Sequence, residues 1–212
     1  MVRQCYEEVM SHRSSLHVGD TVSLIIVNYN AGDLLGDCVL SAVHQVDEVI
    51  LVDNASTDDS VEKVEGVFPC DRKLKVVRHR ENRGFAAACN VGLGISTCRY
   101  LFFLNPDCVL APDVVKGLLQ TLERYHDVGM VGGLLVNSDG TEQAGGRRAV
   151  PTPWRSFVRA FGLSRFVDRW PRLFFDFHLH KQPLPTHPIE VEAISGACML
   201  IRRAAMQDVG RW

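Results

Sequence analysis

The chain has 212 residues, of which 46% are hydrophobic and 23% charged, and its formal net charge is -2. This composition is typical of a soluble globular domain that can bury a core, and the low net charge excludes the strong global field of a nucleic-acid-binding protein. The longest apolar runs, such as residues 24–27 and 100–104, are too short to cross a bilayer.

The cysteines and the N-terminal segment bear on the compartment. Seven cysteines include no C-x-x-C pair, and this odd number in apolar segments argues against a disulfide framework or a zinc knuckle. Residues 1–20 are polar and lack the unbroken apolar stretch of a secretory signal, so they are predicted to form an N-terminal arm. We therefore expect a cytoplasmic protein.

From residue 21 onward, short apolar runs alternate with helical patterns, which predicts an α/β fold with a mostly parallel sheet flanked by helices. The strand candidates are residues 22–27, 49–52, 74–77, 100–104 and 129–136. Apolar residues at helical spacing predict two core-facing helices, and these residues are Leu34, Leu35, Cys38, Val39, Ala42 and Val43, then Val114, Val115, Leu118, Leu119 and Leu122.

The second half of the chain is less regular. A turn signal at residues 137–140 and a series of prolines place a boundary near Val136, which divides the chain into subdomains 21–136 and 137–212. A final strand over residues 189–201 and a helix starting near Arg203 are expected to return the chain to the sheet.

Polar residues follow the predicted strands, where ligands of open parallel sheets bind. Because the carboxyl ends of parallel strands meet at one edge, these residues should converge on one crevice. They are Asn28, Tyr29 and Asn30 after the first strand, 53–59 after the second, 81–84 after the third, and Asn105, Pro106 and Asp107 after the fourth.

Each of these groups has a functional and a structural interpretation. Asp53 can accept from the imide N–H of a uracil or thymine ring, with Tyr29 as a platform, or it can cap the next helix together with Ser56 and Thr57. Residues 82–90 can hold a diphosphate through Arg83 and helix amides, or they can form a tight turn and a closely packed helix.

Asn105-Pro106-Asp107 also has two interpretations. A carboxylate and an amide oxygen after a central strand can hold Mg²⁺ or Mn²⁺ between two phosphates. The same tripeptide is ordinary turn chemistry. Its position after a central strand favours the metal site.

Taken in order, residues 22–30, 52–58, 81–90 and 104–107 resemble the family 2 glycosyltransferases of the GT-A fold, and within them the rhamnosyltransferase branch. The resemblance runs from about Val22 to the last residue. It implies transfer of a sugar, rhamnose from dTDP-rhamnose or a sugar from a UDP-sugar, with inversion, to a glycan or a polyprenyl-diphosphate-linked acceptor in cell wall polysaccharide biosynthesis.

The resemblance also assigns roles to residues. It implies that Asp53 contacts the base and that a divalent metal, Mg²⁺ or Mn²⁺, is held by Asp107, with Asn105 in place of the first acid of the family's D-x-D motif. The whole implied donor site comprises Val27, Asn28, Tyr29, Asp53, Asn54, Asn82, Arg83, Gly84, Asn105 and Asp107. Residues 137–212 would face the acceptor.

The family's catalytic base is an acid in a motif that follows a segment like residues 208–212. We therefore expect the base to lie beyond Trp212 and the isolated chain to turn over slowly. The alternative from another functional class is a non-catalytic nucleotide-sugar-binding module or fragment. A dehydrogenase is disfavoured because G-x-G-x-x-G is absent after the first strand.

Between Trp154 and Phe175, arginines alternate with aromatic residues, as in interfacial amphipathic helices. We favour a helical flap whose aromatics pack on the sheet. The alternative is peripheral contact with the inner face of the cytoplasmic membrane. His178 and His180 have no third ligand at a suitable spacing and are assigned no metal.

Overall fold

The computed structural model describes residues 21–69, 72–137, 139–143, 147–148, 152–162, 185 and 187–210. The predicted arm 1–20, residues 163–175 of the aromatic segment, and His178 and His180 lie outside the described residues. Two compact units are formed. One combines the described residues up to Val131 with those from Gly196 onward, and the other lies between Gly132 and Ser195.

The first unit is built on a six-stranded sheet in the order β3-β2-β1-β4-β8-β5. Parallel pairing joins β1 to β2, β1 to β4 and β2 to β3, whereas β8 runs antiparallel to β4. The predicted mostly parallel sheet is confirmed. Its strands are β1 (Val22–Asn28), β2 (Glu48–Asp53), β3 (Leu74–Arg78), β4 (Tyr100–Leu104), β5 (Met130–Gly132) and β8 (Cys198–Arg202).

Helices connect and cover these strands. They are α1 (Leu34–Ala42), α2 (Ser60–Val67), α3 (Phe85–Ile95), α4 (Val114–Arg124) and α6 (Arg203–Val209). Because neighbouring strands shield the central strands on both edges and helices shield their faces, β1, β2 and β4 are buried at every position. The apolar runs that predicted these strands are therefore the core of the first unit.

The predicted helical core faces are mostly confirmed. Leu35, Cys38, Val39 and Ala42 are buried on α1, and the corresponding apolar residues of α4 from Val115 onward are buried as well. Leu34 and Val114 are the exceptions. Each is the first residue of its helix; half of the surface of Leu34 is exposed, and Val114 is only partly buried. The first residue of a helix can extend past the edge of the sheet. An apolar residue at helical spacing is therefore not necessarily buried at that position.

Two predicted strands are wrong in extent. The strand expected over residues 189–201 is interrupted at Ser195–Ala197, which leaves a short β7 (Ala193–Ile194) and the separate β8. A strand of that length would measure roughly 43 Å, far more than the five residues of β4 can pair with. The strand expected over 129–136 is reduced to the three residues of β5.

The second unit contains little regular structure in its described residues. It has a two-stranded antiparallel ribbon of β6 (Arg147–Arg148) and β7, an isolated bridge between Val136 and Glu142, and the helix α5 (Pro153–Ala160). None of the helices in the described part of the chain has the length and apolar character needed to cross a bilayer.

Candidate functional site

An open cleft of about 530 Å³ lies at the carboxyl ends of β1 and β4. The sheet order places β2 on one side of β1 and β4 on the other, so the connections leaving β1 and β4 diverge and open a crevice between them. The cleft is lined by Val27, Tyr29, Ala31, Leu34, Asn54, Asn82, Gly84, Phe85, Asn105, Pro106 and Asp107.

Most of the predicted site residues share this cleft, although they come from four separate connections. Those that line it are Val27, Tyr29, Asn54, Asn82, Gly84, Asn105 and Asp107. Three others, Asn28, Asp53 and Arg83, do not belong to the lining. The two groups differ in what their side chains contact.

Asn28 and Asp53 bind each other at the adjacent ends of β1 and β2. The Nδ2 group of Asn28 donates to Asp53 Oδ1 over 3.0 Å and lies 2.9 Å from the Ser60 hydroxyl. The Asp53 carboxylate also accepts the Ser56 hydroxyl at 2.5 Å. Both side chains are buried, so this network fixes the floor beneath the cleft. The base contact expected of Asp53 stays a prediction.

Asp58, and not Asp53, binds the first residue of α2, whose N-cap residue Asp59 makes no side-chain capping hydrogen bond. Asp58 Oδ1 accepts the Ser60 backbone N–H at 3.3 Å and the Ser60 hydroxyl at 2.6 Å. Its Oδ2 accepts the Gly32 N–H at 2.9 Å, which ties the connection after β1 to that after β2. The Ser60 hydroxyl is the main reason that the pKa of Asp58 lies below its ordinary value, and the backbone N–H groups add to the effect.

A hydrogen-bonded turn forms the wall opposite β4. Asn54 Nδ2 donates to Asn82 Oδ1 over 2.8 Å, and the Gly84 N–H donates to the same oxygen over 2.9 Å. Gly84 has φ +81°, a conformation that glycine adopts without strain, and α3 begins at the next residue. The turn therefore sets the position of the first turn of α3 at the cleft.

The side chain of Arg83 faces a different place. It forms an ion pair with Glu81 at 3.4 Å and lines a smaller depression together with Arg78, His79 and Arg80. Asn82 and Gly84, on either side of Arg83 in the chain, therefore line the cleft, but the guanidinium group of Arg83 does not. The diphosphate contact expected of this side chain stays a prediction.

The connection after β4 is held by the backbone of Ala197, which directly precedes β8, and by the thiol of Cys38. The Asn105 N–H donates to the Ala197 carbonyl over 2.9 Å, and the Asn105 carbonyl accepts from Cys38 Sγ at 3.4 Å and from the Cys108 N–H at 3.1 Å. Burial, reinforced by neighbouring acidic groups, raises the pKa of Cys108 to about 12 and that of Cys38 above its usual range. These thiols stay neutral and pack beneath Asp107.

The mouth of the cleft is apolar. Tyr29 is 53% exposed, Leu34 52% and Phe85 41%. Tyr29 was expected here from its place after β1. Leu34 and Phe85 were missed as site residues, and so was Ala31, whereas Pro106 was expected at the crevice. Large apolar side chains on the first residue of a helix that starts at the sheet edge are the sequence signal that could have identified Leu34 and Phe85.

The donor set at Asn105 and Asp107 suits a hard divalent cation. Asp107 is exposed and offers carboxylate oxygens, and Asn105 adds an amide oxygen on the same connection. The described residues contain no group of three histidine, cysteine or acidic side chains that could hold a metal ion. A cation here would therefore need oxygen ligands from a bound phosphate and from water.

The comparison with known families identifies this arrangement. The family model described as glycosyl transferase family 2 matches residues 23–210 of the chain. The chain belongs to this family. The matched range contains all four connections that line the cleft.

Curated relatives of the chain are named as glycosyltransferases. The chain is 26% identical over 90% of its length to the N-acetylglucosaminyl-diphospho-decaprenol L-rhamnosyltransferase of Mycobacterium tuberculosis and spans 64% of that enzyme. It is 31% identical over 58% of its length to the glycosyltransferase GlyG of Streptococcus pneumoniae and spans 41% of it. The chain thus spans less than two thirds of either relative.

Solved structures establish the fold. The mannosyltransferase PcManGT of Pyrobaculum calidifontis, determined in complex with GDP-Man and Mn²⁺, is similar over 100% of this chain and 55% of its own, with a TM-score of 0.56 and 19% identity. The family 2 chain described here accordingly has the GT-A fold that its sequence motifs predicted.

Proposed function

We propose that this chain is the nucleotide-sugar-binding part of a glycosyltransferase that transfers a sugar to a hydroxyl of a cell-surface glycan or a lipid-linked acceptor. The observation that carries the proposal is the single cleft shared by Tyr29, Asn54, the 82–84 turn and Asp107. Its volume of about 530 Å³ falls in the range of small-molecule sites. Membership of glycosyl transferase family 2 supports the reaction class.

Each wall of the cleft suits one part of a nucleotide sugar. The exposed faces of Tyr29 and Phe85 suit a base, a ribose or the apolar face of a sugar. The turn at Asn82 and Gly84 precedes the N-terminus of α3, whose first amides have no partners within the helix and favour an anionic diphosphate. Asp107 lies on the other side of the same cleft.

A divalent cation completes the proposed donor site. Asp107 would hold it, with the Asn105 amide oxygen as a second ligand, and Mg²⁺ and Mn²⁺ are the ions that this oxygen donor set favours. When bound, the cation supplies charge neutralisation to the leaving diphosphate. The complex of the similar mannosyltransferase with Mn²⁺ supports this assignment.

The reaction itself is a displacement at the anomeric carbon. An acceptor hydroxyl forms the new glycosidic bond as a carboxylate base takes its proton, and the bond to the nucleoside diphosphate breaks with inversion. The walls of the cleft orient the donor, and α3 stabilises the negative charge on the departing phosphate. In this proposal residues 21–136 bind the donor and residues 137–212 face the acceptor.

dTDP-rhamnose is the proposed donor, and a polyprenyl-diphosphate-linked sugar the proposed acceptor. Both proposals are supported by the mycobacterial relative, which is named for rhamnosyl transfer to a diphospho-decaprenol acceptor. UDP-sugars are the alternative donors.

Calorimetry tests the proposal directly. We expect dTDP or UDP to bind with a dissociation constant of roughly 1 to 100 μM in the presence of Mn²⁺, and at least tenfold more weakly in EDTA. GDP and ADP serve as matched controls for the base. A parallel assay of sugar transfer separates the enzyme from a non-catalytic binding module, because only the enzyme consumes the donor when acceptor is added. Absence of binding by any nucleoside diphosphate would contradict the proposal.

A membrane contact through α5 is also proposed. Trp154, Phe157 and Phe161 form a row in which the first two rings are stacked with centroids 5.5 Å apart, and the last two are tilted with centroids 4.4 Å apart. They are 52%, 44% and 65% exposed, so the expectation that the aromatics are packed away is wrong for these three. The sequence of α5 has two arginines and no acid, which favours an anionic lipid surface. An acceptor carried by a polyprenyl lipid would lie at such a surface, the inner face of the cytoplasmic membrane.

Replacing Trp154, Phe157 and Phe161 together by serine is expected to abolish binding to anionic vesicles, because the row provides the apolar contact. Flotation with vesicles containing phosphatidylglycerol measures the bound fraction, which should fall at least tenfold. Tyr125→Ser, at an exposed aromatic residue of the first unit, is the control and should leave flotation unchanged. Wild-type protein that remains with the soluble fraction would rule out the contact.

A further inference from the structure

The side chain of Asn54 is buried at the edge of the cleft, where it connects three segments. It follows β2 directly, is 3% exposed, and its backbone N–H donates to the Asn28 carbonyl at the end of β1 over 2.8 Å. Its Oδ1 accepts the Arg83 backbone N–H at 3.0 Å and lies 3.2 Å from His79 Nδ1. Its Nδ2 donates to Asn82 Oδ1 over 2.8 Å.

These contacts occupy the amide oxygen of Asn54 and one of its two N–H donors. A carboxamide oxygen has two lone pairs, and here Arg83 and His79 occupy both directions. The nitrogen is directed at Asn82, whose Oδ1 in turn accepts the Gly84 N–H. The amide of Asn54 is thus the centre of a network that sets the path of the chain from the end of β3 to the start of α3.

We propose that Asn54 is a positioning residue, whose amide holds the 82–84 turn in the geometry in which the turn and the N-terminus of α3 meet the donor diphosphate. This inference rests on the proposed function, and it assigns Asn54 an indirect role in place of the direct nucleotide contact that the resemblance implied. Gly84 also shapes this turn, because its φ of +81° lets the chain bend sharply into α3.

The test compares ligands that differ only in the diphosphate. Asn54→Leu keeps the volume of the side chain but removes all three of its hydrogen bonds. Asn54→Ala removes these hydrogen bonds and most of the volume as well. We expect both variants to bind UDP and dTDP at least about tenfold more weakly, equivalent to about 1.4 kcal/mol. Their affinities for UMP, dTMP and uridine should change less than twofold. An equal loss of affinity for all of these ligands, or no loss of affinity for any of them, would overturn the inference.

Gln45→Leu is the matched control. Gln45 uses its amide in the same manner at the start of α4, where Oε1 accepts the Val115 N–H at 3.2 Å and Nε2 donates to the Ala111 and Ser41 carbonyls. It does not line the cleft. This variant should be destabilised to a similar degree and keep wild-type affinity for UDP and dTDP.

A second readout is independent of nucleotide. Amide hydrogen exchange of Arg83 and Gly84 in the ligand-free protein should accelerate at least tenfold in Asn54→Leu and stay unchanged in Gln45→Leu. Wild-type protein that binds none of the nucleotides would refute the proposed function. Hydrogen exchange alone would then test whether Asn54 positions the turn. Unchanged exchange rates of the Arg83 and Gly84 amides in Asn54→Leu would overturn the inference.

Discussion

Asp107→Asn is expected to reduce sugar transfer at least about 100-fold, equivalent to about 2.7 kcal/mol of transition-state stabilisation. The substitution keeps the size and shape of the side chain but removes its negative charge and replaces one acceptor oxygen with a donor NH₂ group. Asp107 is exposed in the cleft, so its loss should not affect folding. In the proposed donor site, the substitution would remove the anionic ligand for a cation that would neutralise the leaving diphosphate.

Three measurements separate this effect from a general defect. The ratio kcat/KM should fall, and the gain in affinity for UDP or dTDP that Mn²⁺ produces in calorimetry should shrink to less than twofold. The thermal midpoint should stay within about 2 °C of the wild type, which corresponds to less than about 1 kcal/mol. Undiminished stimulation by Mn²⁺ in the variant would show that the cation binds elsewhere.

Asp113→Asn is the appropriate control because it makes the same chemical change in the same connection. Asp113 precedes α4 in a left-handed conformation with φ +59°, which asparagine adopts as readily as aspartate. It is exposed and does not line the cleft. Its substitution should therefore change neither transfer nor the response to metal.

The central strands could be predicted from sequence because their composition reflects burial on both faces. The strand β4 lies between two helices in the chain, and all of its residues are apolar and buried. Its burial on both faces was therefore enough to predict it. The polar groups after β1, β2 and β4 followed from the general position of sites in open sheets. This reasoning correctly placed Tyr29 and Asp107 at the cleft. Both residues lie in connections that leave the sheet and are not paired within a strand.

The direction of individual side chains could not be predicted in the same way. Asn28 and Asp53 come at the ends of strands, as the cleft residues do, yet they bind each other, and Ser56 bonds to both of them. The backbone N–H of Arg83 donates to Asn54 Oδ1, whereas its guanidinium group pairs with Glu81. The pairing of Asn28 with Asp53 and that of the Arg83 backbone with Asn54 join residues that are distant in the chain, and local patterns do not contain that information.

The break between β7 and β8 has the same origin. The sequence from residue 189 to residue 201 contains several β-forming residues, and no strong breaker other than Gly196 interrupts it. The pairing partner decides where β8 begins. Because β4 ends at Leu104 opposite Cys198, residues before Cys198 have no partner on that strand beyond the contact between Ala197 and Asn105.

Gly92→Ala is expected to destabilise the protein by about 1 to 3 kcal/mol, although alanine is the better helix former by about 1 kcal/mol. Gly92 lies on α3, which packs against β1 and β2. A Cβ atom there would lie 2.5 Å from Cγ2 of Ile25, which is 1% exposed on β1. This methyl group is attached to a β-branched centre in a buried strand and cannot rotate out of the way.

Gly94→Ala on the same helix is the matched control. No atom lies within 4 Å of the Cβ that it would add, so only the gain in helix propensity remains. Unfolding in guanidinium chloride should show Gly94→Ala as stable as the wild type or up to about 1 kcal/mol more stable. Equal effects of the two substitutions would mean that α3 does not approach the sheet closely at Gly92.

A double-mutant cycle identifies the cause of the loss. Ile25→Ala removes the obstructing methyl group and is itself costly, by about 2 to 5 kcal/mol. In that background, Gly92→Ala should cost less than about 0.5 kcal/mol or become stabilising, because the cavity left by Ile25 accepts the new methyl group. The close approach that Gly92 permits also sets how near the first turn of α3 comes to the cleft, so the affinity of the Gly92→Ala variant for UDP or dTDP should fall together with its stability.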